Sequence, residues 1–232
     1  MNNSSINLSK RLEAVKNTVL PCDVSLDIGC DHGYVSIALV KEKVAKKVIC
    51  LDINEGPLQA AQRNVFEWGV SDRIELRLSD GFEKVKAEDK ADSVIIAGMG
   101  GRLTASILEG GKDIVKSLSQ LVLEPQSEIE VVRAKIRELG FHIEREQFLT
   151  ERGKFYFIID ARPGKEKETA DEEFYDKYSK YLIKTKDTGY KEYVLKNIEK
   201  FEGYQRSIKD AGNGDLMGKI RELKKVIDLY DK

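Results

Sequence analysis

The chain has 232 residues, of which 41% are hydrophobic and 34% charged, with a formal net charge of −1. That length holds one α/β domain of ordinary size plus an appendage, and that composition supports a real core in a soluble protein. No apolar run approaches the roughly 18 residues a membrane helix needs, and Met1-Asn2-Asn3-Ser4-Ser5 opens no charged-then-apolar signal pattern.

Cys22, Cys30 and Cys50 form no C-x-x-C pair and are odd in number, so reduced thiols in a cytoplasmic protein are expected. With only His32 and His142 beside them, no metal site is expected. The near-neutral charge neither favours nor excludes nucleic acid, which would need only a local basic patch.

Leu8-Ser9-Lys10-Arg11-Leu12 opens an amphipathic helix with Ser9 as N-cap. Val15, Val19 and Leu20 form its apolar face, and Pro21 ends it. Lys10 and Arg11 fall in the first turn, where the helix dipole disfavours cations. They are either solvated or placed for an anionic partner.

Val24-Ser25-Leu26-Asp27-Ile28-Gly29-Cys30-Asp31-His32-Gly33-Tyr34 then reads as strand, tight turn and helix. Gly29 permits the sharp turn, and Gly33 lets the next helix start close to a ligand. A dinucleotide turn wants G-x-G-x-x-G, whereas these two glycines are spaced G-x-x-x-G. Asp27, at the strand end, would repel a pyrophosphate but can receive an amino-acid ammonium. Val48-Ile49-Cys50-Leu51-Asp52 is a second buried-type strand ending in an acid suited to ribose hydroxyls. An ammonium at one strand tip and a ribose at the next describe S-adenosyl-L-methionine better than NAD.

Asn54-Glu55-Gly56-Pro57-Leu58 starts a helix with Pro57 in its first turn and Leu58, Ala61, Val65 and Trp68 as its stripe. Trp68 reads as core rather than a stacking platform. Arg73-Ile74-Glu75-Leu76-Arg77-Leu78 alternates with period two, as a half-exposed strand at a sheet edge does. Asp80, in Ser79-Asp80-Gly81, is a third acid at a strand end, either an acceptor for an adenine amino group or a turn former.

Ala91-Asp92-Ser93-Val94-Ile95-Ile96-Ala97 is a buried parallel-type strand running into a Gly98-Met99-Gly100-Gly101 loop. Glycines so dense imply that backbone closely approaches something, with Met99 lining a cleft. A helix through Leu103, Ile107 and Leu108 follows. Leu121-Val122-Leu123 is another buried strand, entering Glu124-Pro125-Gln126, and a helix over 127–139 is closed by Gly140. Residues 141–149 and 155–160 read as a final antiparallel pair.

After Arg162 the composition shifts. Residues 165–173 are a charge run read as a linker or helix start. Tyr190, Val194, Ile198, Phe201 and Ile208, then Leu216, Ile220, Leu223, Ile227 and Tyr230, form two apolar stripes divided by Ala211-Gly212-Asn213-Gly214-Asp215. The second steps four and three, the spacing of a coiled-coil seam. The expected organisation is a domain over 1–162 and a helical hairpin over 163–232, whose role is either structural support or RNA contact.

The segments Leu8–Leu12, Asp27-Ile28-Gly29-Cys30-Asp31-His32-Gly33-Tyr34, Asn54-Glu55-Gly56-Pro57-Leu58, Ala97-Gly98-Met99-Gly100-Gly101 and Arg152-Gly153-Lys154-Phe155-Tyr156 together carry a resemblance. The chain resembles the bacterial tRNA (adenine-22-N1)-methyltransferases, class I S-adenosyl-L-methionine-dependent enzymes. The resemblance implies a Rossmann-like α/β fold, mostly parallel with an antiparallel final strand, and a C-terminal coiled-coil hairpin. It also implies methyl transfer to N1 of an adenine in tRNA. A monomer is expected, with neither DNA nor a membrane as partner, although a helical seam of this kind can close within one chain or between two. Asp27, Gly29, Asp31 and Gly33 would hold the methionine end, Asp52 and Ile53 the ribose and adenine, and Asp80 with Gly81 the adenine. Ile28, Cys30, His32, Asn54, Ala97, Gly98 and Met99 complete that cofactor set. Asp31, His32 and Met99 are the expected catalytic residues, and Lys10, Arg11, Arg102, Arg152 and Lys154 the expected RNA contacts.

The family usually shows Leu-Gln-Pro-Asn where this chain has Leu123-Glu124-Pro125-Gln126, so no role carries over to Glu124 or Gln126. Glutamine-modifying and N6-adenine enzymes carry Asn/Asp-Pro-Pro-Tyr/Phe after the fourth strand, where Ala97-Gly98-Met99-Gly100 stands here. A methyltransferase with another substrate, a non-catalytic S-adenosyl-L-methionine-binding module and an NAD enzyme are the rival readings.

Overall fold

The computed structural model describes residues 6–165, 171–207 and 214–232. Ile208, Ala211, Gly212, Asn213 and part of the 165–173 charge run lie outside the described residues.

Helix α1 (Lys10–Thr18) starts where the Ser9 hydroxyl accepts a hydrogen bond from the Leu12 amide at 3.3 Å. The helix stops short of Pro21, with Val19 already extended, and Leu20 is turned to solvent rather than onto the apolar face. The strands are β1 (Cys22–Ile28), β2 (Ala45–Asp52), β3 (Ile74–Leu78), β4 (Ser93–Gly100), β5 (Gln120–Ser127), β6 (Phe141–Glu151) and β7 (Lys154–Pro163). The intervening helices are α2 (Tyr34–Lys41), α3 (Glu55–Glu67), α4 (Gly101–Gly110), α5 (Lys112–Val115) and α6 (Ile129–Glu138).

The strands form one sheet in the order β3-β2-β1-β4-β5-β7-β6. β1 to β5 are parallel, and β7 runs antiparallel between β5 and β6. β3 is an edge strand, which accounts for its alternating sequence. The order reverses between β1 and β4, and the crevice above such a switch point is where open α/β sheets bind ligands.

The central strands are covered on both faces. Leu26, Ile28, Ile49, Leu51, Ile96 and Leu123 pack with Leu108, Val132 and Ile136 on one side. Val48, Cys50, Ile95 and Val122 pack with Val15, Ile37, Leu39 and Val65 on the other. Adjacent residues of one strand serve opposite faces, so the sequence is apolar without alternation. Trp68 caps α3, packs against the second of these clusters and lies under the Lys41 ammonium.

The predicted Gly98-Met99-Gly100-Gly101 loop is instead the end of a strand. β4 continues to Gly100 with register shifts at Ala97/Met99 and Met99/Gly100, and Gly101 already begins α4. A Cβ on Gly101 would lie 2.5 Å from the Ser127 carbonyl oxygen and closer still to that of Glu128. That glycine is required by protein backbone rather than by a ligand.

Among the described residues the tail holds four helices: α7 (Glu172–Lys177), α8 (Lys180–Lys184), α9 (Thr188–Ser207) and α10 (Gly214–Tyr230). The first two were not legible in the charge run. A third core joins Tyr178, Leu182, Tyr190, Val194, Ile198, Leu223, Val226 and Tyr230 to Phe157 of β7. In α10 the fully buried residue is Val226, not Ile227, because the helix also packs on α8, with Tyr230 Oη donating to the Leu182 carbonyl. Arg133 of α6 anchors this unit, donating to Glu146 and to the Asp176 carbonyl at 2.5 Å each.

Candidate active site

Three acids stand at the C-terminal tips of adjacent strands. Asp27 is the penultimate residue of β1, Asp52 closes β2, and Asp80 follows β3. All three line one cleft of about 540 Å³ at the switch point, within the size range of small-molecule sites.

Asp27 is buried, and among the described residues its side-chain partner is the Ser36 hydroxyl, which donates at 2.5 Å and in turn accepts from the Cys50 thiol. Burial pushes the Asp27 carboxyl up to about 6, and the negative charges of Asp52 and Asp31 add to the shift. A buried, poorly compensated carboxylate is a receptor for a cation. Asp52 accepts from the amides of Asn54 at 2.9 Å and Asp31 at 3.4 Å, so it is oriented by backbone on both flanks.

Gly29 and Asp31 hold the turn with φ of +74° and +49°, and the Gly29 amide donates to the Leu51 carbonyl across the sheet. A Cβ on Gly29 would overlap the terminal methyl of Met99. The bare turn and the thioether therefore interlock across the cleft floor. His32 is exposed, stacks on Tyr34 at 6.0 Å between ring centroids, and lies beside Asp31.

Of the expected cofactor residues, Asp27, Ile28, Gly29, Cys30, Asp31, His32, Asp52, Ile53, Asn54, Asp80, Gly81, Ala97, Gly98 and Met99 all line this cleft. Gly33 does not. It caps α2 with φ +71°, and its bare Cα lets α3 approach, since a Cβ there would sit 3.3 Å from the Ala61 methyl.

Among the expected RNA contacts only Arg11 lines the cleft. Its guanidinium donates to Glu124 at 2.5 Å and lies over the Tyr156 ring. Glu124 is fully buried, accepts also from the Gly98 amide at 2.8 Å, and leaves its Oε1 without a partner among the described residues. Burial raises its carboxyl above the ordinary range, against the pull of Arg11. The anion suited to the start of α1 is also internal. Glu151 accepts from the Lys10 amide at 2.8 Å and from the Arg11 amide. That bond ties the Arg152-Gly153 turn, with both φ positive, to α1. Lys10, Arg152 and Lys154 are exposed on this side, and Arg102 is exposed at the start of α4, paired with Glu128.

Several lining residues escaped the sequence reading: Tyr34, Ser79, Leu103, Ile107 and Gln126. Tyr34 and Leu103 are large hydrophobic side chains that the fold leaves exposed at the cleft, at the starts of α2 and α4, a feature visible only once the helices are placed.

A methyltransferase-domain family model matches residues 8–159, the stretch that builds the sheet and the cleft. The Bacillus subtilis tRNA (adenine(22)-N(1))-methyltransferase is 35% identical over 161 residues, covering 69% of this chain and 67% of that one. This chain belongs to that family. The crystal structure of the B. subtilis m1A22 tRNA methyltransferase TrmK superposes with a TM-score of 0.80 at 28% identity, over 97% of this chain and 98% of that one. Sp1610 of Streptococcus pneumoniae, solved in complex with S-adenosyl-L-methionine, gives 0.85 at 33% identity, over 95% of this chain and 100% of that one. Family membership thus extends through the helical tail, well beyond the domain that the family model covers.

Proposed function

We infer that this protein methylates N1 of adenine 22 in tRNA, with S-adenosyl-L-methionine as cofactor. The observation that carries the reading is the convergence of Asp27, Asp52 and Asp80 on one cleft in a chain of this family. The residues present fit the cofactor. Asp27 is a buried carboxylate suited to its ammonium, and Asp52, held by two amides, suits its ribose hydroxyls. Ile53, an exposed apolar side chain on the rim, and Asp80 suit its adenine. When bound, the cofactor supplies an electrophilic methyl group on a positively charged sulfur.

Adenine N1 has an in-plane lone pair and loses no proton before it reacts. The protein therefore needs no strong general base, and its work is alignment and exclusion of water. Met99, seated against Gly29, closes the cleft floor with an apolar group. As N1 becomes cationic, a carboxylate or carbonyl near the N6 amino group stabilises the charge. Asp31 and the backbone carbonyls of Ala97, Gly98 and Met99 are the groups available at the cleft, and His32, stacked on Tyr34, stands beside them.

The target base must leave its stack to reach such a cleft. Lys10, Arg11, Arg152 and Lys154 on one side and Arg102 on the other would hold the phosphates around it. We take the protein to act in the cytoplasm as a monomer; α9 and α10 share one apolar core with Phe157 of β7. Incubation of unmodified tRNA with the protein and cofactor, followed by mass-spectrometric mapping, should find 1-methyladenosine at position 22 alone. Methyl at another base or atom, or none, would overturn the reading.

A further inference from the structure

Gln126 lies on the rim at the end of β5, beyond Pro125, which pairs with Met99 across the β4 bulge. Its side chain is exposed, and its carboxamide makes no hydrogen bond to any described residue. A Cβ on Gly98 would sit 3.8 Å from the Gln126 Nε2 and 3.6 Å from the Arg11 Nη1. Gly98, with φ +82°, therefore leaves a gap between a guanidinium and an unused amide. The guanidinium is committed to buried Glu124, which also holds the Gly98 amide, so that side of the gap is fixed while the Gln126 amide opposite it is free to turn to a ligand.

The chemistry of the reaction limits which edge of the base these walls can touch. N1 must stay free and face the methyl donor, so it cannot be used for recognition. N3 lies on the sugar-side edge, and the edge opposite it still offers the N6 amino group, a donor, and N7, an acceptor. A carboxamide offers the matching pair, a carbonyl acceptor and an N–H donor, and a glutamine amide reads adenine N6 and N7 in this way elsewhere. Guanine presents acceptors at both O6 and N7 and would set its O6 against the amide carbonyl.

We propose that Gln126 is the specificity-determining residue of the site, grasping the N6/N7 edge of the extruded adenine while N1 points into the cleft. The proposal rests on the methylation of adenine N1 inferred above. The test uses a ligated tRNA carrying either adenine or 7-deazaadenine at position 22, which differ only in the N7 acceptor. Wild-type kcat/KM should fall about tenfold on the 7-deaza substrate. Q126A should lose about tenfold or more on adenine and show no further loss on 7-deazaadenine. Q126E, which keeps the acceptor for N6 but not the donor to N7, should likewise be indifferent to the deaza change. Thermal melting alongside shows whether each variant is folded, and two variants guard against one failing to fold. A deaza penalty that persists at full size in folded Q126A or Q126E, or that is absent in the wild type, overturns the contact. Wild-type protein that places no methyl on the adenine-22 substrate overturns instead the reaction on which the proposal rests.

Discussion

Replacing Asp27 by asparagine tests the electrostatics of the cleft without changing its shape. The Ser36 hydroxyl keeps an acceptor, and only the charge is lost. The carboxyl is held near 6 against an ordinary value of 3.8. Below about pH 4 it is protonated in the folded and unfolded chain alike and costs nothing. Between about 4 and 6 the unfolded chain releases its proton first, so stability falls as pH rises. Above about 6 the full cost is present, about 3 kcal/mol at most. Without cofactor at pH 8, D27N should therefore be more stable than the wild type by up to about 3 kcal/mol. For a chain of this size that is roughly 6–12 °C in Tm. The gap should close as pH falls through 6 towards 4. Cofactor at 100 times its Kd should stabilise the wild type by about 2.7 kcal/mol and leave D27N almost unmoved. Urea or thermal denaturation across this pH range, with and without S-adenosyl-L-methionine, measures both effects. Equal or lower stability of D27N at pH 8, or equal stabilisation of both proteins by cofactor, would refute the reasoning.

Three further outcomes are expected. M99A should slow single-turnover methyl transfer more than it weakens cofactor binding measured by calorimetry; equal losses would contradict a substrate-side role for this side chain. G101A should destabilise the fold by about 2–3 kcal/mol in urea, because its Cβ meets the backbone carbonyls of Ser127 and Glu128, which cannot swing away. The double variant R152A/K154A should weaken tRNA binding and flatten the dependence of log affinity on log salt by roughly 0.7–0.9 per lost phosphate contact; an unchanged slope would remove both residues from the RNA surface.

What the sequence made legible was local. Asp27, Gly29 and Asp52 could be placed because each sits where an apolar run meets a turn, and the sheet order then brings them together. The edge position of β3 followed from its alternation, and the last two strands from the turn at Arg152-Gly153. Contacts between distant segments were not legible. Gly101 reads as a ligand-facing glycine until β5 and α6 are packed against it. Arg11 reads as a cation awaiting an anion until Glu124, fully buried on β5, is found beneath it. Gly33 faces Ala61 rather than the ligand for the same reason. In the tail, coiled-coil spacing picked Ile227, but α8 packs on the same helix and shifts the buried stripe to Val226. Short helices α7 and α8 carry too few turns for a periodic signal.

The most direct measurement of the central claim is a crystal structure with S-adenosylhomocysteine bound. The account predicts its amino group on Asp27, its ribose hydroxyls on Asp52, its adenine beside Ile53 and Asp80, and its sulfur facing the Gly98–Met99 rim. A ligand lodged elsewhere, or bound in this cleft with its ribose away from Asp52 and its amino group away from Asp27, would contradict it.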